Sequence, residues 1–556
     1  MSGWSRWPIL VILLSVLVGA AALDRDRSET DELVVVEPLD LQPLAVGNQA
    51  LGATWYCAGG SGVPGGPADH VVVISNPANG DAQAVVAGFG NDGQTGQVEL
   101  SVGAGSTQRI RVGDIIEAEW VAALVESGSG DLVVHHELSG PHGRAASPCA
   151  SAPSRSWFGA AGSTARDSRY LLALFNPFPD RATVEISFQT DEGVRAPTEL
   201  ERLVVAGHSV KIIEVEQIVT RRDQLSTVID VRAGRVVVDR IQVRTGELGR
   251  TGLTLALGAP AAAEQWFFPG GLVSAAQQEQ LVIYNPGESR AEIDVDILVG
   301  GSELGSVAPL EITVPGGRYQ IVDVSEELAR VGIELPVDHA TAVRSVNGQG
   351  VVVDRILFGS EEGLTVGVPL AATELAVPLL GSPTDPQETT PEGVTTTTTP
   401  PTTTTMVAPT TTTVPDSTTT TGVGPAPTTT APAATTTTVV ATTTIPTTTT
   451  TAVPESVSRP AGAPRELSVY NPGSTPATVK VVAWFDGSSV VVADGSTVGP
   501  ASRGSFPVSD LPPGSFLLIT SDAPVVAEWV VRTTGELVAV SAVATLDSVD
   551  GSVLQS

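Results

Sequence analysis

Apolar and polar residues alternate with period two after each of four Asn-Pro dipeptides, in "ISNPANGDAQAVVAG", "LFNPFPDRATVEISF", "IYNPGESRAEIDVDI" and "VYNPGSTPATVKVVA". Counting from Asn76, Asn176, Asn285 and Asn471, the sixth residue on is alanine in every copy: Ala82, Ala182, Ala291 and Ala477. The eighth residues are Ala84, Val184, Ile293 and Val479, and the tenth are Val86, Ile186, Val295 and Val481. In the third copy Glu292, Asp294 and Asp296 fill the gaps. One apolar and one polar face at this period predict a strand buried on one side. That belongs to an antiparallel sheet, not to a parallel sheet covered on both faces.

The Asn-Pro pair predicts the turn that precedes the strand. A residue before proline is driven to extended backbone, and proline donates nothing to a sheet ladder. The Asn side chain can bond backbone two residues on and close an Asx turn. Each Asn-Pro is therefore read as structural punctuation between strands, with recognition at the turn tips as the alternative.

Other landmarks recur at similar offsets. Small-residue turns ("GAGSTQRIRV", "VAGHSVKIIEV", "PGGRYQIVDV") follow in the first three copies, and "LVVHHEL", "RVVVDRI", "VVVDRIL" and "PVVAEWV" come next in all four. Between copies, "TWYCAGG", "SWFGAAG" and "QWFFPGG" place Trp55, Trp157 and Trp266 at intervals of 102 and 109 residues, with "TELAVPLLG" as a weaker echo. A period this long, with several short strands, predicts one antiparallel sandwich per repeat and is too long for a propeller blade. The fold class expected is all-β: tandem immunoglobulin-like β-sandwiches, three contiguous and one after a linker. The tryptophans are expected where one sandwich meets the next, with a carbohydrate-stacking platform as the alternative.

The linker is the Thr/Pro-rich stretch that contains "TTTTTPPTTTTMVAPTTTTVPDSTTTT", whose composition offers little for a core. The expected division is 1–23 signal peptide or membrane anchor, 24–50 acidic spacer, and sandwiches at 51–153, 154–263 and 264–381. Then follow 382–463 as a disordered Thr/Pro-rich linker, a target for O-glycosylation, and 464–548 as the fourth sandwich.

Composition narrows the setting. A net charge of −31 disfavours nucleic acid and anionic lipid surfaces, which bind through Lys and Arg. Arg6 precedes an apolar run at residues 8–23 that ends in small residues. Sixteen residues of helix span about 24 Å, short of a ~30 Å hydrocarbon core, which fits a cleaved signal peptide. Trp4 and Trp7 can extend the segment, so an uncleaved membrane anchor stays open. Either way the rest of the chain is expected outside the cytoplasm, secreted or held at the outer face of the plasma membrane. An exported pair of cysteines, Cys57 and Cys149, is then expected to form a disulfide across the first repeat.

Motifs for chemistry are missing. The chain has no Gly-Lys-[Ser/Thr] phosphate loop, G-x-S-x-G elbow, H-E-x-x-H, S-x-x-K or complete calcium loop. "NDGQTGQVE" reads as a hairpin loop. In "HHELSGPH", His135 and His136 would point to opposite faces of a strand and cannot both hold one ion. Their slot is filled by Asp239 and Arg240, then Asp354 and Arg355, then Glu528 and Trp529 in the later copies. That exchange reads as structural. An arginine turned inward there needs carbonyl or carboxylate partners.

The tandem "W-[YF]-x-x-x-G … N-P … V-V-V-D-R" pattern resembles an uncharacterised family of exported proteins of high-GC Gram-positive bacteria. The resemblance covers residues 51–380, with a looser match at 464–548. It implies an envelope location and tandem β-rich domains, and it carries over no catalytic or binding residues. The expected function is a non-enzymatic envelope protein, structural or adhesive, that meets wall polymer, glycan or envelope protein without a cofactor or metal. The alternative is an envelope polysaccharide hydrolase with paired carboxylates on sandwich loops.

Overall fold

The computed structural model describes residues 44–45, 52–128, 132–247, 249–299, 308–359, 361–379, 465–508, 511–512, 514–533, 536–541 and 543–545. The apolar segment 8–23, most of the acidic spacer and the Thr/Pro-rich stretch 382–463 lie outside the described residues.

In the first repeat the period-two segments become β1 (Ala53–Gly60), β2 (Asp69–Ser75), β3 (Ala82–Gly90), β4 (Thr95–Val102), β5 (Thr107–Arg111), β6 (Val121–Ser127), β7 (Val133–Gly140) and β8 (Gly143–Pro148). They pair antiparallel as two sheets, ordered β1-β6-β3-β4 and β5-β2-β7-β8. Val72 and Ile74 of one sheet share a core with Val86, Val98 and Val125 of the other, which makes a sandwich. Residues 91–94 form the β3–β4 hairpin turn, where Asp92 accepts from the Gln94 amide at 3.0 Å.

The second repeat builds the same two sheets from β9 (Ser156–Gly159), β10 (Ser168–Asn176), β11 (Ala182–Thr190), β12 (Gly193–Arg195), β13 (Leu203–Val205), β14 (Ser209–Glu214), β15 (Leu225–Ala233), β16 (Val237–Thr245) and β17 (Thr251–Leu257). The third uses β18 (Gln265–Val273), β19 (Gln278–Asn285), β20 (Ala291–Val299), β21 (Leu310–Val314), β22 (Arg318–Asp323), β23 (Val337–Ser345), β24 (Val352–Phe358) and β25 (Glu362–Val366). All twelve alternating apolar positions after the four Asn-Pro pairs are buried.

The Asx turns form in all four copies with one bonding pattern. Each Asn Oδ1 accepts from the amide two residues on: Ala78 at 3.0 Å, Phe178 at 3.1 Å, Gly287 at 3.0 Å and Gly473 at 2.9 Å. Each Nδ2 donates to the carbonyl four residues on and to a second carbonyl at the end of a later strand, Val102, Val205, Val314 or Val498. The side chain therefore closes the turn and ties it to the neighbouring hairpin.

The fourth sandwich corrects the expected boundaries. Its strands are β26 (Ala372–Pro378), β27 (Arg465–Asn471), β28 (Ala477–Phe485), β29 (Ser488–Val498), β30 (Ser502–Pro507), β31 (Phe516–Thr533), β32 (Glu536–Ser541) and β33 (Val543–Thr545). β26, expected to close the third repeat within 264–381, pairs instead with β31, Leu375 opposite Ile519 and Val377 opposite Leu517. Trp55, Trp157 and Trp266 lie opposite Val125, Ile229 and Val343 in the same way, so Leu375 stands in the tryptophan slot of a fourth first strand. With that place in the third sandwich already filled by β18, "TELAVPLLG" can bury Leu375 and Val377 only in the next core. The fourth sandwich therefore starts near residue 372, not 464. The Thr/Pro-rich stretch is inserted between its first and second strands.

A second correction concerns the tryptophans. Trp55, Trp157 and Trp266 are buried in their own sandwiches, and the indole N–H of Trp157 and Trp266 donates to Val236 O at 2.9 Å and Val351 O at 2.7 Å within the repeat. The indoles are core anchors. The junctions are made by the residues that follow them.

Each sandwich touches the one before it and the one after it, and the fourth returns to the first. β8 packs on β17, β17 on β25, β25 on β32, and β32 back on β8. Val133 meets Ala376, and the Gly487 amide donates to Gly105 O at 3.2 Å across the same closing seam. The four sandwiches thus close a ring around their β8-type strands.

Candidate functional site

The recurrent polar residues come together at the joints of this ring. In β1 and β18 the ladder skips residues, with register shifts between Cys57 and Gly60 and between Phe268 and Gly271. A bulge leaves backbone groups unpaired and re-aims them. The freed amides point at the next sandwich, which must supply acceptors because a buried N–H without one is costly.

An acid from the following repeat supplies them each time. Asp239 Oδ2 accepts from the amides of Ala58 at 2.7 Å and Gly59 at 3.2 Å. Asp354 Oδ2 accepts from Ala161 N at 2.7 Å, and Glu528 Oε2 from Gly270 N at 2.8 Å. The approach is close: a Cβ on Gly59 would fall 2.3 Å from the Ala173 Cβ, and one on Gly270 would fall 2.6 Å from Val530 Cγ1. Glycine at those positions is a requirement of the joint.

The basic half comes from the preceding repeat. Arg240 grips Asp354 with both terminal nitrogens, Nη1 to Oδ2 at 2.6 Å and Nη2 to Oδ1 at 3.0 Å. Arg355 Nη2 donates to Glu528 Oε1 at 2.9 Å, Nη1 to Gly270 O at 2.5 Å and Nε to Thr365 Oγ1 at 3.1 Å. The Asp-Arg dipeptide now has a physical reason. Neighbours on a strand face opposite sides, so the acid reaches back to the preceding sandwich while the arginine reaches forward to the next. All of these side chains are buried.

At the first joint histidine replaces arginine. His136 Nε2 lies 3.4 Å from Asp239 Oδ2, and His136 Nδ1 lies 3.0 Å from His70 Nε2. His70 Nδ1 in turn faces Val121 O at 3.2 Å. His135, on the opposite face as alternation requires, sits 3.6 Å from Glu137, which also takes Arg109 in a two-pronged contact at 2.9 and 2.7 Å. At the closing seam the acid slot of the first repeat holds His135 and the arginine slot of the fourth holds Trp529. The acid–arginine clasp is not repeated there.

Burial sets the electrostatics. It pushes the Asp239 carboxyl up to about 7, against the amides of Ala58 and Gly59 and the charge of Arg240. It also raises the Glu528 carboxyl, opposed by Arg355 and the Gly270 amide. His70 is lowered by burial to about 4, and His136 falls well below the ordinary histidine value through burial and the neighbouring imidazoles. Burial would raise Glu137, but Arg109 and His135 outweigh it and hold the carboxyl low.

Cys57 and Cys149 are joined as a disulfide. It flanks the backbone bridge between Tyr56 and Ala150, which recurs as Phe158–Ala259 and Phe267–Val368 in the next two repeats. Among the described residues no group of three or more His, Cys, Asp or Glu side chains is arranged to hold a metal ion, and no described helix is long and apolar enough to cross a membrane.

The sequence reading missed the third member of each joint. His70, Tyr170 and Glu279 each lie six residues before the Asn of Asn-Pro, polar positions that lead into apolar strands. Tyr170 is buried beside Arg240, and Glu279 lies 3.3 Å from His339 and acts on Glu528. Their common offset was the available signal.

The repeated sandwiches, with their chemistry turned into the joints, define a tandem β-sandwich protein. The chain belongs to the family of unknown function DUF5719, whose family model matches residues 134–421. No curated protein matches the chain. Two solved structures are similar to part of it. A Thermotoga maritima protein, "Thermotoga maritima 1070", is 19% identical and covers 19% of this chain and 94% of its own, with a TM-score of 0.17. The Anabaena sensory rhodopsin transducer is 22% identical and covers 17% of this chain and 88% of its own, with a TM-score of 0.15. At these scores neither likeness bears on function.

Proposed function

We propose that this protein is a non-enzymatic, exported component of the cell envelope with a structural or adhesive role, and that its outer sheet faces and turn tips meet wall polymer, glycan or another envelope protein. The observation that carries the reading is the placement of Asp239, Arg240, Asp354, Arg355 and Glu528. The charged residues that recur between copies are buried against neighbouring sandwiches, where they hold domains together and no substrate reaches them. The apolar segment at residues 8–23 and the disulfide in the first repeat support an oxidising, extracytoplasmic setting.

The test fractionates cells and incubates the purified protein with isolated wall polymers. Retention on the polymer or in the envelope fraction without released products is the expected result. Soluble saccharide fragments would overturn the reading in favour of a hydrolase.

A further inference from the structure

The first joint differs from the second and third in one respect that its geometry makes consequential. Asp354 has both oxygens occupied by Arg240 and the Ala161 amide, and Glu528 has both occupied by Arg355 and the Gly270 amide. Asp239 is equally buried, yet its Oδ1 has no hydrogen-bond partner, and neither has Nε2 of His136, which faces Oδ2.

The proton order along the chain can be assigned. The Val121 carbonyl accepts only, so His70 donates from Nδ1 and presents a lone pair at Nε2. His136 must then donate from Nδ1 to His70, which in its neutral form leaves a bare lone pair on Nε2 aimed at the carboxylate. A lone pair set against a carboxylate in a dry site is repulsive unless a proton lies between them.

We propose that the first joint is a proton-dependent clasp, closed by one proton shared between His136 and Asp239 and loosened by acid, while the arginine clasps of the second and third joints hold. The groups around it are His70 from β2, His135, His136 and Glu137 from β7, Arg109 from β5, Arg144 from β8, and Asp239 and Arg240 from β16. Arg109 and Arg144 are committed to Glu137, and Arg240, whose charge is felt at Asp239, makes its ion pair with Asp354.

The sign follows from the two kinds of shift. Asp239, raised by burial from 3.8 to about 7, contributes stability that is present in acid and lost as pH rises through about 7. The two histidines, lowered from 6.5, contribute stability lost as pH falls below 6.5. Two imidazoles oppose one carboxyl, so acid weakens the joint by a net one proton.

The experiment is hydrogen–deuterium exchange on the intact protein, corrected for intrinsic rates, following peptides that contain the amides of Ala58 and Gly59, of Ala161 and of Gly270. The expected result is an opening equilibrium at the first joint that rises by about tenfold per pH unit below pH 6.5, with no such rise at the other two. His136→Arg, which gives the first joint the residue of the other two, is expected to abolish that slope. If the variant does not fold, the comparison of the three joints within the native protein still decides. A flat response at Ala58 and Gly59, or the same slope at all three joints, would overturn the proposal.

Discussion

Asn285 makes three hydrogen bonds with one buried side-chain amide, to Gly287 N, Ser289 O and Val314 O. Alanine there would leave the Val314 carbonyl without this donor inside the protein, so Asn285→Ala is expected to cost about 2–4 kcal/mol, read from denaturant midpoints. Asp is a poor substitute because a carboxylate has nothing to donate to the two carbonyls. The arginines give a sharper prediction. Arg240→Met strands Asp354 in a dry joint and is expected to cost about 3–5 kcal/mol, whereas Arg240→Met with Asp354→Leu should recover much of the loss. A double-mutant cycle measures it. A loss in the double variant equal to the sum of the two single losses would mean that the pair is not coupled across the joint.

At the scale of the element, β26 carries the main prediction. Because Ala372–Pro378 is zipped to β31, proteolytic cutting within residues 382–463 should yield two fragments on a denaturing gel that still elute together natively. Separate elution would refute the pairing. The same strand shows how far the sequence could be read. The Asn-Pro turns, the buried faces after them and the Cys57–Cys149 bridge follow from local rules that act within a few residues or from the simple pairing of two cysteines. β26 was misassigned because Leu375 replaces the indole that marks the other first strands, and because its partner lies more than a hundred residues away. The joints were half legible. The inward arginine announced a need for an acceptor, but alternation cannot say that the acceptor belongs to the next domain, nor that a bulge after the tryptophan frees the amides that complete it.

At the scale of the whole molecule, the joints make neighbouring sandwiches interdependent. The first and second share one apolar cluster, in which Ala58 and Leu138 join Leu171 to Phe175, and Phe267 of the third packs with Tyr470 and Val526 of the fourth. A protein ending before residue 372 would keep Arg355 but lose Glu528. Its third sandwich is expected to melt several degrees lower, an effect that calorimetry would resolve and that Arg355→Met should partly reverse. Unchanged melting would show that the joint adds nothing to the third sandwich. Repeat arrays need ends that do not invite more units. Here the ends meet, with His135 and Trp529 in place of the acid and the arginine.

Along the chain the Thr/Pro-rich stretch joins the end of β26 to the start of β27, both strands of one sandwich. Tension applied to that stretch would therefore be borne by a single domain, through two strands that are each paired with β31. The load would not pass around the ring from one domain to the next, and the other three would feel it only through the contacts on either side of the one that is held.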